Sequence, residues 1–374
     1  MNRVPPALRS YARQSVGSAP QPPSGDGSYE MCARPAFLIG IFAAILFLPT
    51  TVMAQLPGQR YGEVVPRDVR EMYERGLKYL AQTQDTGGDW KTSSHQGPGV
   101  TGMAVMAFLA SGEDPNFGQY AGNIRKGLQA VIRGQDANTG YFGNSMYHHG
   151  FATLALAEAY GTVDDREWVG EDMRSLAESL ELAVRASLTS QQDNPFGAWR
   201  YSPEAQDADT SVSGAVLVSL LAARNAGIEV PDKAIDRAIG YFTSMTSDGG
   251  QVGYSGGMGG MGDSLARSSI ASLVYSVARR KDLPKYKATV QYLTSNLEQT
   301  PRNWPEYTRY YQAQALFQGD VESWEKWNTG LVRQLKTIQQ TDGSFKGQLG
   351  PAADTSLSLL AMALNFRFLP IYER

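Results

Sequence analysis

The sequence predicts an all-α protein: an α/α toroid (α6/α6 barrel) of about six helix-hairpin repeats. Three observations carry that expectation. A turn built from Gln, Gly and an aromatic recurs as "QDTGGDW" (84–90), "QDANTGYF" (135–142), "QDNPFGAW" (192–199) and "QTDGSF" (340–345). Aligned on the closing aromatic, the turns fall at Trp90, Phe142, Trp199, roughly Val252 to Tyr254, Trp304 and Phe345, about 41 to 57 residues apart. An amphipathic helical pattern precedes each turn, and a helical pattern almost without charge follows it.

The elements then follow in order. Residues 1–30 are rich in Pro, Ser and Gly without an apolar period, and read as disordered or as an over-extended gene start. Residues 31–54 read as a signal peptide: Arg34 precedes an apolar run at 36–48, too short for a bilayer span, and Val52 and Ala54 set a cleavage site before Gln55. The expected location is the periplasm or the outside of the cell; an uncleaved anchor is the alternative, and the only expected contact with a membrane. A linker at 55–65 leads to a repeat domain at 66–370. Its outer helices are "VREMYERGLKYLAQTQ", "NIRKGLQAVIRGQ", "SLAESLELAVRASLTSQQ", "KAIDRAIGYFTSM", "YKATVQYLTSNLEQ" and "WNTGLVRQLKTIQQ". The inner ones are "VTGMAVMAFLASG", "HGFATLALAEAYG", "TSVSGAVLVSLLAARNAG", "LARSSIASLVYSVARR", "YTRYYQAQALFQG" and "TSLSLLAMALNF", whose Ala, Ser and Gly suit close helix contacts. One hairpin cannot cover its own apolar face, so neighbours must stack, and six can close a ring around a cavity. In each turn Gly tolerates positive φ, Gln can satisfy a free helix-end group, and the aromatic packs against the next unit.

"RGLKYLAQTQDTGGDW" (75–90) resembles the repeat of the terpenoid cyclases and protein prenyltransferases, the QW or prenyltransferase/squalene-oxidase repeat. "QDNPFGAW" fits it, "QDANTGYF" and "QTDGSF" carry Phe for Trp, and the units near 248–254 and 299–304 are degenerate. The resemblance spans 66–370 and implies the toroid, which hosts unrelated activities.

Composition excludes several chemistries. Residues 1–54 hold four Arg and two acids, which leaves 30 basic and 35 acidic residues in the remainder; no nucleic-acid partner is expected. The single cysteine, Cys32, lies in the leader, so the mature chain lacks a thiol, and the zinc site implied by prenyltransferases is missing. No metal or other cofactor is expected, because the adjacent His148 and His149 point about 100° apart on a helix.

The candidate site residues cluster at inner-helix starts. Type II cyclases, by resemblance, use an Asp-x-Asp-Asp general acid; "QDADTS" (206–211) offers Asp207 and Asp209 but lacks one carboxylate. Asp209, Asp263 and Asp354 also read as helix N-caps. His148 and His149, in "YFGNSMYHHG", are candidates for acid/base or ligand roles, and His95 is the remaining histidine. Asp263 ends "YSGGMGGMGD" (254–263), a candidate flap over the cavity mouth. Tyr307, Arg309 and Tyr310, in "NWPEYTRYYQAQ" (303–314), are candidates for a ligand-contacting wall or for inter-helix packing. Three functions stay open: a cavity that binds an apolar, lipid or isoprenoid-like molecule; a non-catalytic scaffold for another cell-envelope protein; and a carbohydrate-active toroid such as a polysaccharide lyase, with Tyr310, Arg309 and His149 as its chemistry. If the protein is an enzyme, a cyclase-like isomerase or lyase is expected.

Overall fold

The computed structural model describes residues 65–90, 96–168, 173–256, 264–301, 303–366 and 368–372. The expected leader and linker, His95, Asp263 and most of the expected flap lie outside these residues. From Glu63 onward the chain forms one compact unit of helices, with only isolated β-bridges at the turns among the described residues. Among the described residues, no helix is long and apolar enough to cross a membrane.

Among the described residues, twelve α-helices alternate between two rings. The outer ring is α1 (Arg67–Thr83), α3 (Ala121–Arg133), α5 (Leu176–Asp193), α7 (Asp232–Met245), α9 (Pro284–Thr294) and α11 (Val321–Ile338). The inner ring is α2 (Pro98–Leu109), α4 (Met146–Ala159), α6 (Thr210–Asn225), α8 (Leu265–Val277), α10 (Pro305–Gly319) and α12 (Pro351–Met362). Each inner helix packs on the next in chain order, and α12 returns to α2, so the ring closes. The charge patterns explain the assignment: α1 buries one stripe, Val69, Met72, Tyr73, Gly76, Leu77 and Leu80, whereas α2 buries every residue from Gly99 to Leu109. Helix starts follow local chemistry. Ser175 and Glu178 form a capping box on α5, Ser145 caps α4, and Pro98, Pro284, Pro305 and Pro351 open α2, α9, α10 and α12.

The recurring turn joins neighbouring units by one repeated device. Gln84 Nε2 donates to Gly88 O (3.0 Å) in its own turn and to Asn123 O (3.0 Å) on the next outer helix. Gln135 does the same to Gly140 O and Ser179 O, and Gln191 to Gly197 O and Ala234 O, all at 2.8–2.9 Å. Gln339 closes the ring, donating to Gly343 O and to Met72 O of α1, both at 2.9 Å. The turn glycine then rests on the backbone of that next helix. A Cβ on Gly343 (φ 91°) would lie 2.3 Å from Arg75 O, so nothing larger fits.

Three expectations change here. The clamping residues in the third and last turns are Gln191 and Gln339, one position before the Gln that the motif alignment selects. The helix-end group is met by the aromatic in two turns, Trp90 Nε1 donating to Leu80 O and Trp199 Nε1 to Ser187 O, each at 2.9 Å, and by Gln in the last, where Gln340 Nε2 donates to Ile338 O (2.9 Å). Trp304, aligned with the buried turn aromatics, is 43% exposed and begins α10 in the left-handed region (φ 50°, ψ 55°). The fourth turn keeps its glycine (Gly250, φ 83°) but has Thr246 for Gln and buried Val252 for the aromatic.

Removing a clamp strands two carbonyls between units, and each buried polar group left unpaired costs roughly 1–3 kcal/mol. Gln191→Ala is therefore expected to lower unfolding stability in urea by about 2–4 kcal/mol. Gln206→Ala, an exposed glutamine in the following loop, should change it by less than about 0.5 kcal/mol. Equal effects of the two would refute the clamp.

Candidate functional site

All six inner helices run in the same direction, so their N-terminal turns meet at one end of the ring. There they surround a cavity of about 550 Å³, a size typical of small-molecule sites. Each inner helix contributes: Val100 and Met103 from α2, Tyr147, His148 and Phe151 from α4, Ser211 from α6, Ala266 and Arg267 from α8, Tyr307 and Thr308 from α10, and Ala353 from α12. Tyr201, Tyr254, Asn303, Trp304 and Leu349 complete the wall from the connecting loops.

Two tyrosine pairs dominate it. The Tyr147 hydroxyl donates to that of Tyr307, with ring centres 6.0 Å apart, and Phe151 stacks behind Tyr147 at 6.0 Å. The hydroxyls of Tyr201 and Tyr254 lie 2.8 Å apart, and the Arg200 guanidinium sits 5.5 Å from both ring centres. Burial raises the Tyr147 and Tyr307 hydroxyls well above the ordinary tyrosine range, and their tyrosine neighbours add to it. Tyr147 and Tyr307 are therefore neutral hydrogen-bonding groups at physiological pH. His148 Nδ1 accepts from Gly99 N (3.2 Å), which puts the proton of the neutral ring on Nε2. Arg267 Nε donates to Val252 O (2.9 Å). Among the described lining residues there is no carboxylate.

Of the sequence candidates, the structure places Tyr307 and His148 on the cavity wall. The other described candidates sit elsewhere. His149 is turned outward into the helix packing, fully buried: Nδ1 accepts from Phe142 N (3.1 Å), and Nε2 faces Ala183 O (3.1 Å) and Ser187 Oγ (3.0 Å). Burial lowers its pKa to about 4, so it is a neutral structural histidine. Tyr310 is buried against Phe151 and Tyr311. Arg309 is buried one turn from Glu306, Nη1 to Oε1 3.6 Å. Asp207 is a surface partner of Arg200 (3.0 Å).

Asp209 is the N-cap of α6, accepting from Ser211 N (2.9 Å) and Val212 N (2.8 Å) through Oδ1, with Arg200 Nε 3.4 Å from Oδ2. It lies behind the wall, fully buried, and burial raises its pKa to about 6. Asp354 is not an N-cap. It sits inside the first turn of α12, where Gly350 is the cap, and accepts from Gly347 N (2.8 Å) and Leu349 N (3.3 Å) in the preceding loop.

The sequence singles out the 303–314 cluster that contains Trp304, but not Tyr147, Phe151, Tyr201, Tyr254 or Arg267. A signal was present for three of them: Tyr147 and Phe151 are four apart on α4, with Tyr147 in the first turn as Tyr307 is in α10, and Arg267 lies in the first turn of α8. Tyr201, Tyr254 and Trp304 come from loops, where no helical period applies.

Solved structures of similar fold include an α-1,6-mannanase and a type II terpene cyclase. The α-1,6-mannanase of Salegentibacter sp. HEL1_6 superposes with a TM-score of 0.59 at 9% identity, over 79% of this chain and 98% of its own. An inactive variant of it, solved with an α-1,6-linked mannotetraose, reaches 0.61 at 7% identity, over 80% of this chain and 99% of its own. The type II terpene cyclase MstE from Scytonema gives 0.53 at 14% identity, over 80% and 98%. These likenesses establish the α/α toroid. No family model matches the chain, and no curated protein matches it.

Asp209 supplies a test of the site's electrostatics. Its folded pKa lies above the ordinary carboxylate range. The stability gained from holding that proton is thus complete below about pH 4 and is lost as pH rises through about 6. Asp209→Asn keeps the capping oxygen and removes the titration. The stability of the variant relative to wild type, from urea unfolding, is expected to rise between pH 4 and 7 by up to about 3 kcal/mol. A difference that is flat with pH contradicts this placement of the carboxyl.

Proposed function

We propose that the protein binds an apolar, isoprenoid-like molecule in the cavity at the N-terminal end of its inner ring. The supporting observation is the wall itself. Six aromatic rings (Tyr147, Phe151, Tyr201, Tyr254, Trp304 and Tyr307) join Val100, Met103, Ala266, Leu349 and Ala353, and no carboxylate lines the described surface. Aromatic faces and aliphatic side chains favour removal of hydrocarbon from water. The paired hydroxyls and His148 would orient one polar end of the ligand, as in most small-molecule sites. The terpenoid-cyclase resemblance of the repeats points the same way, although the acid motif is incomplete and Asp209 stands behind the wall. Export through the leader at 31–54 would put this activity outside the cytoplasm.

A sugar is the second reading, favoured by the partly exposed rings of Tyr201 (48%) and Trp304 (43%) at the mouth. Glycoside hydrolysis would need two carboxylates flanking the bond, which the described lining lacks.

Trp304 reports on either ligand. Titration with geranylgeraniol is expected to change tryptophan emission saturably, the change should vanish in Trp304→Phe, and Tyr307→Ala, which removes a ring from the wall, should weaken binding about tenfold or more. A response to α-1,6-mannotetraose with none to the alcohol would favour the sugar. No response to either, with folding intact, would reject the cavity as the binding site.

A further inference from the structure

One wall of the cavity contains a second arrangement that neither packing nor ligand contact uses. Glu306 in the first turn of α10 and Asp354 in the first turn of α12 are 3% and 0% exposed. Both carboxylates crowd Gly347. A Cβ at that glycine would lie 2.4 Å from Glu306 Oε2 and 2.9 Å from Asp354 Oδ1, so those two oxygens are no more than about 5 Å apart. Two carboxylates so placed and so buried are held ionised together only at a large cost. Among the described residues, the charged group that faces them is Arg309, itself buried, 3.6 Å from the other oxygen of Glu306 and with Nη1 making no hydrogen bond. Lys346, beside Gly347 in the loop, is exposed. With both acids ionised these described groups together carry one uncompensated negative charge.

The loop crowded by these acids is part of the cavity. Asp354 accepts from the amides of Gly347 and Leu349, and Leu349 lines the wall. Between them Gln348 Oε1 accepts from Trp304 N (3.2 Å), the left-handed residue at the mouth. A non-glycine residue in that backbone region carries strain of order 1 kcal/mol and stays there only while its surroundings hold it. The acid pair, the loop at 347–350 and Trp304 thus form one connected unit at the starts of α10 and α12.

We propose that Glu306 and Asp354 are a proton-operated latch on the cavity mouth: sharing a proton, they clasp the loop at 347–350 against the start of α10, and when both are ionised their repulsion releases the loop and Trp304. The proposal rests on the reading of this cavity as the working site and adds its regulation. The direction of titration agrees. Burial and then Glu306 raise the Asp354 carboxyl to about 6, and burial raises Glu306. The clasped state binds the proton more tightly than the released one, so it prevails in acid and gives way as pH rises through about 6.

The test uses the full-length protein without ligand. Acrylamide quenching of wild type, compared with Trp304→Phe to isolate Trp304, is followed from about pH 4.5 to 8. Quenching of Trp304 is expected to increase with pH, the released-to-clasped ratio rising about tenfold per unit below the midpoint, as for one proton. In Glu306→Gln the cluster cannot carry the extra charge, and Trp304 should stay protected throughout; Asp354→Asn tests the same charge from the other helix should the first variant misfold. A Trp304 signal flat with pH in wild type overturns the latch. So does a transition that persists in both variants, or one removed by His148→Asn while both acids remain. Because no ligand is present, failure of geranylgeraniol to bind would count against the proposed function alone.

Discussion

The molecule depends on the sharing of one primary amide between two units. Each inner helix is buried nearly all round and can be covered only by neighbours on both sides, and hydrophobic contact alone does not fix the angle at which successive hairpins meet. The side-chain amides of Gln84, Gln135, Gln191 and Gln339 do. Each has two N–H donors, and each spends one on its own turn and one on the next outer helix. The turn glycine lets the two backbones touch. Repeated around the ring, the clamp brings the last unit back onto Met72 and Arg75 of the first.

Closure also decides where chemistry can occur. Inner helices that all point one way gather their N-terminal turns at one end, and residues there face the axis whatever their type. The two turns that abandon the clamp fall on this cavity. The fourth carries Thr246 for Gln and leads to Tyr254 in the wall; the fifth ends in Trp304, turned into the mouth in a left-handed conformation. Departures from an otherwise consistent repeat are where function is expected to override local preference.

The fold was legible because it is written many times: the apolar period and the turn recur, and errors in one unit are outvoted by the others. The candidate site was legible only in part. The inner-helix starts were found, and with them Tyr307 and His148, but neighbours one position away diverge in fate. His148 faces the cavity, whereas His149 is packed outward against Ala183 and Ser187. A rotation of 100° separates them, and a sequence does not give the absolute rotation of a helix about its axis. Asp354 shows the same limit: it looks like a cap from "ADTS", yet α12 begins three residues earlier, at Pro351, and its carboxylate serves the loop instead. Loop residues such as Tyr201 had no period to betray them.

The central claim, that the ring's cavity holds an apolar molecule, is tested most directly by native mass spectrometry of the protein purified from an exporting host, with solvent extraction of whatever remains bound. The account predicts a discrete added mass that extracts as a lipid-like compound and is lost when Tyr307 is replaced by alanine. A protein that is folded, empty and unable to retain any apolar molecule presented to it would contradict the account, and would leave the outer surface as the place to look for function.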